Sequence, residues 1–163
     1  MGKQFPIFLG VGLIVVGLAW YLFYAGTKDL ALAVNGEVLK TRASELSPRN
    51  TFVMADFRIR NTSGVDFMLK DAQVFVTLAN GKELEGITVS RPDIDNILQN
   101  VKLLGPKYNE VLIIRDRVKA HVSIDRMMAA TFNADETEIA NRRKLRLHLN
   151  EVDGKEFDLM EKK

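Results

Sequence analysis

Residues 4–27 carry no charged side chain: QFPIFLGVGLIVVGLAWYLFYAGT. The apolar part, 5–26, spans roughly 33 Å as a helix at about 1.5 Å per residue, enough to cross a bilayer core of about 30 Å. In hydrocarbon the backbone must bond to itself, so this run is expected to be helical despite Gly10, Gly12 and Gly17. Pro6 falls in the first turn, where a missing N–H costs little. Trp20, Tyr21, Phe23 and Tyr24 gather at the C-terminal end, as the interfacial belt of a membrane helix does. A cleaved leader is the competing reading, but its apolar region is usually about 7–15 residues with a small residue before the cut. This run is longer, and Phe23-Tyr24-Ala25 puts a bulky residue where a small one is needed. Ala31-Leu32-Ala33 has the small residues but lies past Lys28 and Asp29. Residues 1–27 are therefore read as a retained anchor and 28–163 as the domain it carries.

After the anchor, period-two alternation dominates. Val53, Ala55, Phe57 and Ile59 alternate with mostly polar residues, which predicts a strand with those four facing a core. Asn61-Thr62-Ser63-Gly64 supplies a turn. Ala72, Val74, Val76 and Leu78 form the next inward row. Asn80-Gly81 suits the positive φ angles of a type I′ hairpin, returning the chain over 82–89. Val118, Ala120, Val122 and Ile124 repeat the pattern. Met128, Ala130 and Phe132 follow, then Leu145, Leu147 and Leu149, and Asp153-Gly154 leads to a last strand with Phe157 and Leu159. Weaker strands are expected around 30–34 and 37–41, with Asn35-Gly36 and Ser47-Pro48 in the linking region.

Two segments show helical spacing. Ser90-Arg91-Pro92-Asp93 resembles a helix start, followed by Ile94, Ile97, Leu98 and Val101 at i, i+3, i+4 and i+7, with Gly105-Pro106 as the stop. Asn133-Ala134-Asp135-Glu136 opens a second short helix to about Arg143, acids first and bases last, as the helix dipole favours. The fold class is all-β: a Greek-key sandwich of about 130 residues with one or two short helices, preceded by one transmembrane helix.

Composition sharpens this picture in two places. Cysteine is absent, which excludes disulfide scaffolds, thiolate metal sites, thiol nucleophiles and a lipidated cysteine. Lys3 is the only charge before Lys28, so 22 of the 23 basic and all 21 acidic residues lie beyond the apolar run. That near-balance disfavours nucleic acid as a partner.

Candidate chemistry is sparse. His121 and His148 fall on the polar sides of their predicted strands, with no third ligand at a telling spacing, so no metal and no cofactor are assigned. Asp93-Ile94-Asp95-Asn96 resembles the start of a calcium loop, but Ile97 takes a ligand position, and helix capping by Asp93 explains the cluster better. No phosphate loop, GxSxG or HExxH is present, and no catalytic residue is assigned. Asn61-Thr62-Ser63 is formally a glycosylation sequon. The densest basic run holds Arg142, Arg143, Lys144 and Arg146, with Arg115, Arg117 and Arg126 as possible neighbours. It offers an anion or partner patch, or simply a helix end followed by the polar side of a strand.

The segment FRIRNTSGVDFMLKDAQVFVTLANGKELEG (57–86) resembles the strand–Asn-turn–strand unit of FxLYD-type and late-embryogenesis-abundant-like sandwiches, which are similar to fibronectin type III or immunoglobulin domains. LGPKYNEVLIIRDRV (104–118), RMMAATF (126–132) and LHLNEVDGKEF (147–157) are similar to single-pass bacterial membrane proteins of unassigned function. The immunoglobulin cysteine pair and core tryptophan are absent. The resemblance implies the fold and an anchored layout, and no catalytic residue.

Orientation has two signals. Lys28, Lys40 and Arg42 after the helix favour a cytoplasmic domain. The very short N-terminal tail and the resemblance favour an extracytoplasmic, periplasmic one, which is the reading adopted, in a bacterial inner membrane. The expected function is a non-catalytic accessory or assembly subunit. It would hold lipid through its helix and dock to an integral or membrane-associated protein complex. The alternative is a carrier of a small apolar or lipid-like ligand between the sheets, with Met54, Met68, Met127 and Met128 lining the cavity.

Overall fold

A computed structural model describes residues 5–27 and 31–161. Lys3, Lys28, Asp29 and the Leu30 start of the first expected strand lie outside the described residues. Helix α1 covers Phe5–Thr27. The strands are β1 (Val34–Ser47), β2 (Asn50–Asn61), β3 (Phe67–Thr77), β4 (Glu83–Thr88), β5 (Arg117–Val118), β6 (Ser123–Phe132), β7 (Lys144–Glu151) and β8 (Glu156–Met160). Helices α2 (Arg91–Asn100) and α3 (Glu136–Ala140) interrupt them.

The sheet order is β1-β2-β6-β4-β3-β7-β8, with β5 on β3. Layers β1-β2-β6 and β3-β7-β8 face each other and form a β-sandwich. Strand β4 joins the two: Glu83 to Gly86 pair with β3, then Ile87 and Thr88 pair with β6. A side chain at Gly86 would run into Phe132 and Ala130, so the crossing point needs glycine. On the opposite side, β8 reaches β1 through the Val38–Glu161 bridge.

The inward rows read from alternation fill the space between the layers. Val53, Ala55, Phe57, Ile59, Val74, Val76, Met128, Ala130, Phe132, Leu145, Leu147, Leu149 and Leu159 share one core. The two weak early strands are instead one long β1, bulged between Val38 and Lys40. Asn35-Gly36 makes no turn. Gly36 lies in the ladder, where a Cβ would collide with the Arg58 carbonyl oxygen. The β1–β2 turn is Pro48-Arg49, with Arg49 at φ 62°.

The β3–β4 turn is not type I′: Gly81 N donates to the Leu78 carbonyl at 3.0 Å, and only Gly81 takes a positive φ, 87°. The predicted 118–124 strand breaks after Val118, because a turn with His121 at φ 59° intervenes and leaves Val122 exposed. The second helix ends at Ala140 rather than Arg143, although Arg142 Nη1 still donates to the Ile139 carbonyl at its C-terminus.

Strand β2 is buried on both sides, which alternation does not show. Its reverse face offers Phe52 and Met54, joined by Met127 and Ala129 of β6. Helix α2 closes over them with Ile94 fully buried and Ile97, Leu98 and Val101 packed beside it. The N-cap of α2 is Ser90, not Asp93. Asp93 N donates to Ser90 Oγ at 3.4 Å, and that hydroxyl donates to Asp93 Oδ2 at 2.5 Å.

Further along the same outer face, Arg58 holds Asp125 of β6 with two bonds, 2.7 and 2.8 Å. The Arg58 hydrogen bond holds the Asp125 carboxyl below the usual carboxylate range, against a smaller opposing effect of burial. A lowered folded pKa gives stability that is present above the unfolded value and lost as pH falls through the folded one. Asp125→Asn is therefore expected to flatten part of the acid limb of a stability–pH profile, with a small effect at neutral pH. Arg58→Asp should be mild but not neutral, since it sets like charges opposite each other across two strands.

Candidate functional site

Helix α1 has no acid in its first turn and no base in its last. From Gly10 to Gly26 its side chains are exposed, including Trp20, Tyr21, Phe23 and Tyr24. A helix apolar all round suits an apolar surrounding. Gly10–Thr27 is long and apolar enough to cross a membrane, as some leader segments also are. At its end, Thr27 Oγ1 donates to the Phe23 and Tyr24 carbonyls at 2.9 and 3.3 Å, folding the hydroxyl back onto the last turn.

The sandwich carries a cap on the outer face of β1 and β2. It consists of α2, a 3₁₀ turn at Lys102–Leu104 and the loop 105–110. An ion pair beneath holds it down: Arg42 Nη2 lies 2.9 Å from Asp56 Oδ2, with side chains only 10% and 4% exposed. Arg42 Nη1 donates to the Leu104 and Pro106 carbonyls at 2.6 and 2.7 Å. Asn109 Nδ2 donates to Asp56 Oδ1 at 2.9 Å. One cation and one anion thus clamp both ends of the loop. Above the clamp, the Tyr108 ring lies 4.7 Å from the Arg42 guanidinium and 4.8 Å from Lys40 Nζ. Tyr108 remains 57% exposed and Leu103 93% exposed.

None of these residues stands out in sequence. Asp56 reads as one more polar position on an alternating strand, and Arg42 as a charge in the linker. The usable signal is that Phe52 and Met54, apolar at even positions, mark a covered outer face with Asp56 next in line.

The basic run is not one patch. Arg142 is bound to Glu161 at 2.6 and 3.0 Å. Arg146 lies between Glu83 at 3.1 Å and Asp158 at 3.4 Å, its guanidinium 4.3 Å from the Phe75 ring centre. Arg143 and Lys144 are exposed beside Thr77. Arg115 and Arg117 border the other end of β3, beside Leu69 and Met68. The eight-residue offset from Leu69 to Thr77 is about 26 Å along a strand, so these are not neighbours. Arg126 turns to Asp116 at 3.5 Å.

His148 Nδ1 lies 2.8 Å from Asp158 Oδ1. Burial pushes the Asp158 carboxyl up, but the His148 hydrogen bond and the Arg146 charge outweigh it and hold the group below its ordinary range. His121 sits in the turn before β6 rather than on a strand. No grouping of three metal-ligating side chains occurs among the described residues. Asn61 is 1% exposed, and its Nδ2 is engaged by the Val65, Val118 and Lys119 carbonyls at 2.7, 3.1 and 3.2 Å. That nitrogen is not open to a sugar in the folded chain. Of the four methionines expected between the sheets, only Met128 is in the inter-sheet core. Met54 and Met127 lie under α2, and Met68 is half-buried at the start of β3.

No family model matches the chain, and no curated protein matches it. Among solved structures, it is similar to a candidate lipoprotein of Bacillus subtilis at 7% identity and TM-score 0.47. That match covers 78% of this chain and 35% of the other, so this chain spans about a third of that protein. It is also similar to an uncharacterized β-sandwich protein of Clostridium difficile, at 10% identity and TM-score 0.36, covering 80% of each chain.

Proposed function

We propose that this chain is a single-pass, membrane-anchored docking module: a non-catalytic accessory subunit whose sandwich stands on the periplasmic side of a bacterial inner membrane and binds a protein complex of that membrane. The strand–Asn-turn–strand unit around Asn61 is what it has in common with FxLYD-type and late-embryogenesis-abundant-like sandwiches. The observation that carries the docking reading is the exposed pair Leu103 and Tyr108, on a 3₁₀ turn and the loop after it, clamped by Arg42 and Asp56. A large aliphatic and an aromatic side chain held in place before binding lose little entropy on association. Anchoring in the same membrane raises the partner's effective concentration, so a small surface suffices.

The test is extraction of the full-length chain in mild detergent, with native sizing and mass spectrometry of what accompanies it. Wild type is expected in a defined larger complex. Leu103→Asp should release the companion at least tenfold more readily, while Asn80→Asp, in the β3–β4 turn, leaves it in place. A lone chain in both, or a companion indifferent to Leu103, would contradict the proposal.

A further inference from the structure

We infer that the turn at residues 113–119 is a second membrane contact, resting its isoleucine tip and basic rim on anionic headgroups of the bilayer that holds α1. This rests on reading α1 as a membrane anchor. Ile113 and Ile114 are consecutive and 46% and 66% exposed. Their projection is built in. Asp116 N donates to the Ile113 carbonyl at 3.0 Å, and Ile113 N donates to Asp116 Oδ2 at 3.3 Å. The turn is tied to β3 by Arg115 N on the Leu69 carbonyl and by Leu69 N on the Asp116 carbonyl, at 2.8 and 2.9 Å.

Arg115, Arg117 and Lys119 are exposed around the tip. The acid within the run, Asp116, is bound to Arg126. Asp66 lies 3.8 Å from Arg117 but also accepts from Ala120 N at 3.0 Å, so the rim keeps a positive excess. Exposed aliphatic side chains bordered by cations suit the headgroup region, where the chains enter the acyl boundary and the cations meet the anionic surface.

Chain connection selects the bilayer as the occupant. Thr62 N donates to the Ala33 carbonyl at 2.9 Å, His121 N to the Ser63 carbonyl at 3.2 Å, and Lys155 Nζ to the Leu32 carbonyl at 3.3 Å. The loops after β2, β5 and β7 therefore gather where the chain enters β1, and the 113–119 turn flanks the same end of β3. Only residues 28–33 separate α1 from β1, and six residues reach about 20 Å at full extension. This end cannot leave the headgroup layer by more than that.

Because the chain has no cysteine, Ile114→Cys can carry a single nitroxide label. Full-length protein is reconstituted in phosphatidylcholine vesicles with and without phosphatidylglycerol, with Leu18→Cys and Asn80→Cys labels as references. Collisions with oxygen relative to a water-soluble nickel chelate are expected to be several-fold higher at position 114 than at position 80 when phosphatidylglycerol is present. The excess should vanish with Arg115→Glu, Arg117→Glu and Lys119→Glu together. A ratio equal to that at position 80, or immersion indifferent to phosphatidylglycerol, overturns the inference. A label shielded from both reagents assigns the turn to a protein contact and overturns it too. Leu18 open to the nickel chelate defeats the anchor reading itself, which none of the other outcomes does.

Discussion

Asp56→Ala is expected to destabilise the sandwich by about 3–5 kcal/mol, because it leaves the Arg42 guanidinium buried without a counter-charge. Asn109 loses its acceptor in the same step. The measurement is thermal unfolding of the full chain in detergent, followed by its β-sheet circular dichroism. Arg42→Met combined with Asp56→Leu should recover most of the loss, since an apolar pair of similar volume is often as stable as the buried ion pair it replaces. That double variant still lacks the donor to the Leu104 and Pro106 carbonyls, so the cap loop should exchange its amides faster at wild-type-like stability. A double variant with a tight cap would show that α2 packing, rather than Arg42, holds Leu103 and Tyr108 in place.

Asn61→Asp should be comparably severe, about 3–5 kcal/mol. The amide nitrogen serves three carbonyls, and its oxygen accepts from Ser63 N and Oγ at 3.1 and 2.6 Å. A carboxylate keeps the acceptor, loses the donors and faces three carbonyl oxygens in a site closed to water. Its pKa must rise on folding, so the folded variant binds a proton more readily than the unfolded one. The difference from wild type should therefore shrink as pH falls toward the ordinary carboxyl range near 4 and be largest above it. Denaturant midpoints of both chains across that range check the sign. A difference constant with pH would mean that the introduced group reaches water.

Much of the sandwich was legible because its layers bury one face each. That Val74, Val76, Leu145 and Leu147 face inward follows from period two alone, whereas the pairing of β3 with β7, Val74 opposite Leu147 and Val76 opposite Leu145, is visible only in the folded chain. What alternation hid is the second face of β2. Phe52 and Met54 needed a cover, and the stripe Ile94, Ile97, Leu98 and Val101 needed a seat, but only the folded chain shows that each supplies the other. The break at His121 was hidden for a different reason: Val122 kept the alternation going through a residue that the turn leaves exposed. For the candidate site, charge density drew attention to Arg142 and Arg146, whose charges are answered by Glu161, Glu83 and Asp158. Leu103 and Tyr108 drew none, because Leu103 is off the spacing of Ile94, Ile97, Leu98 and Val101 and Tyr108 lies past the Gly105-Pro106 stop. Their prominence depends on a clamp between residues 14 apart, brought together by the β1–β2 hairpin.

If the cap meets a partner in the membrane that holds α1, Leu103 lies at the contact. A photo-crosslinking amino acid at position 103 of the chain, activated in intact membranes, reports that contact, with the same residue at position 80 for comparison. One defined crosslinked species is expected from position 103, absent from position 80 and lost when Asp56→Ala frees the cap. Equal crosslinking from both positions, or none from position 103, would contradict it.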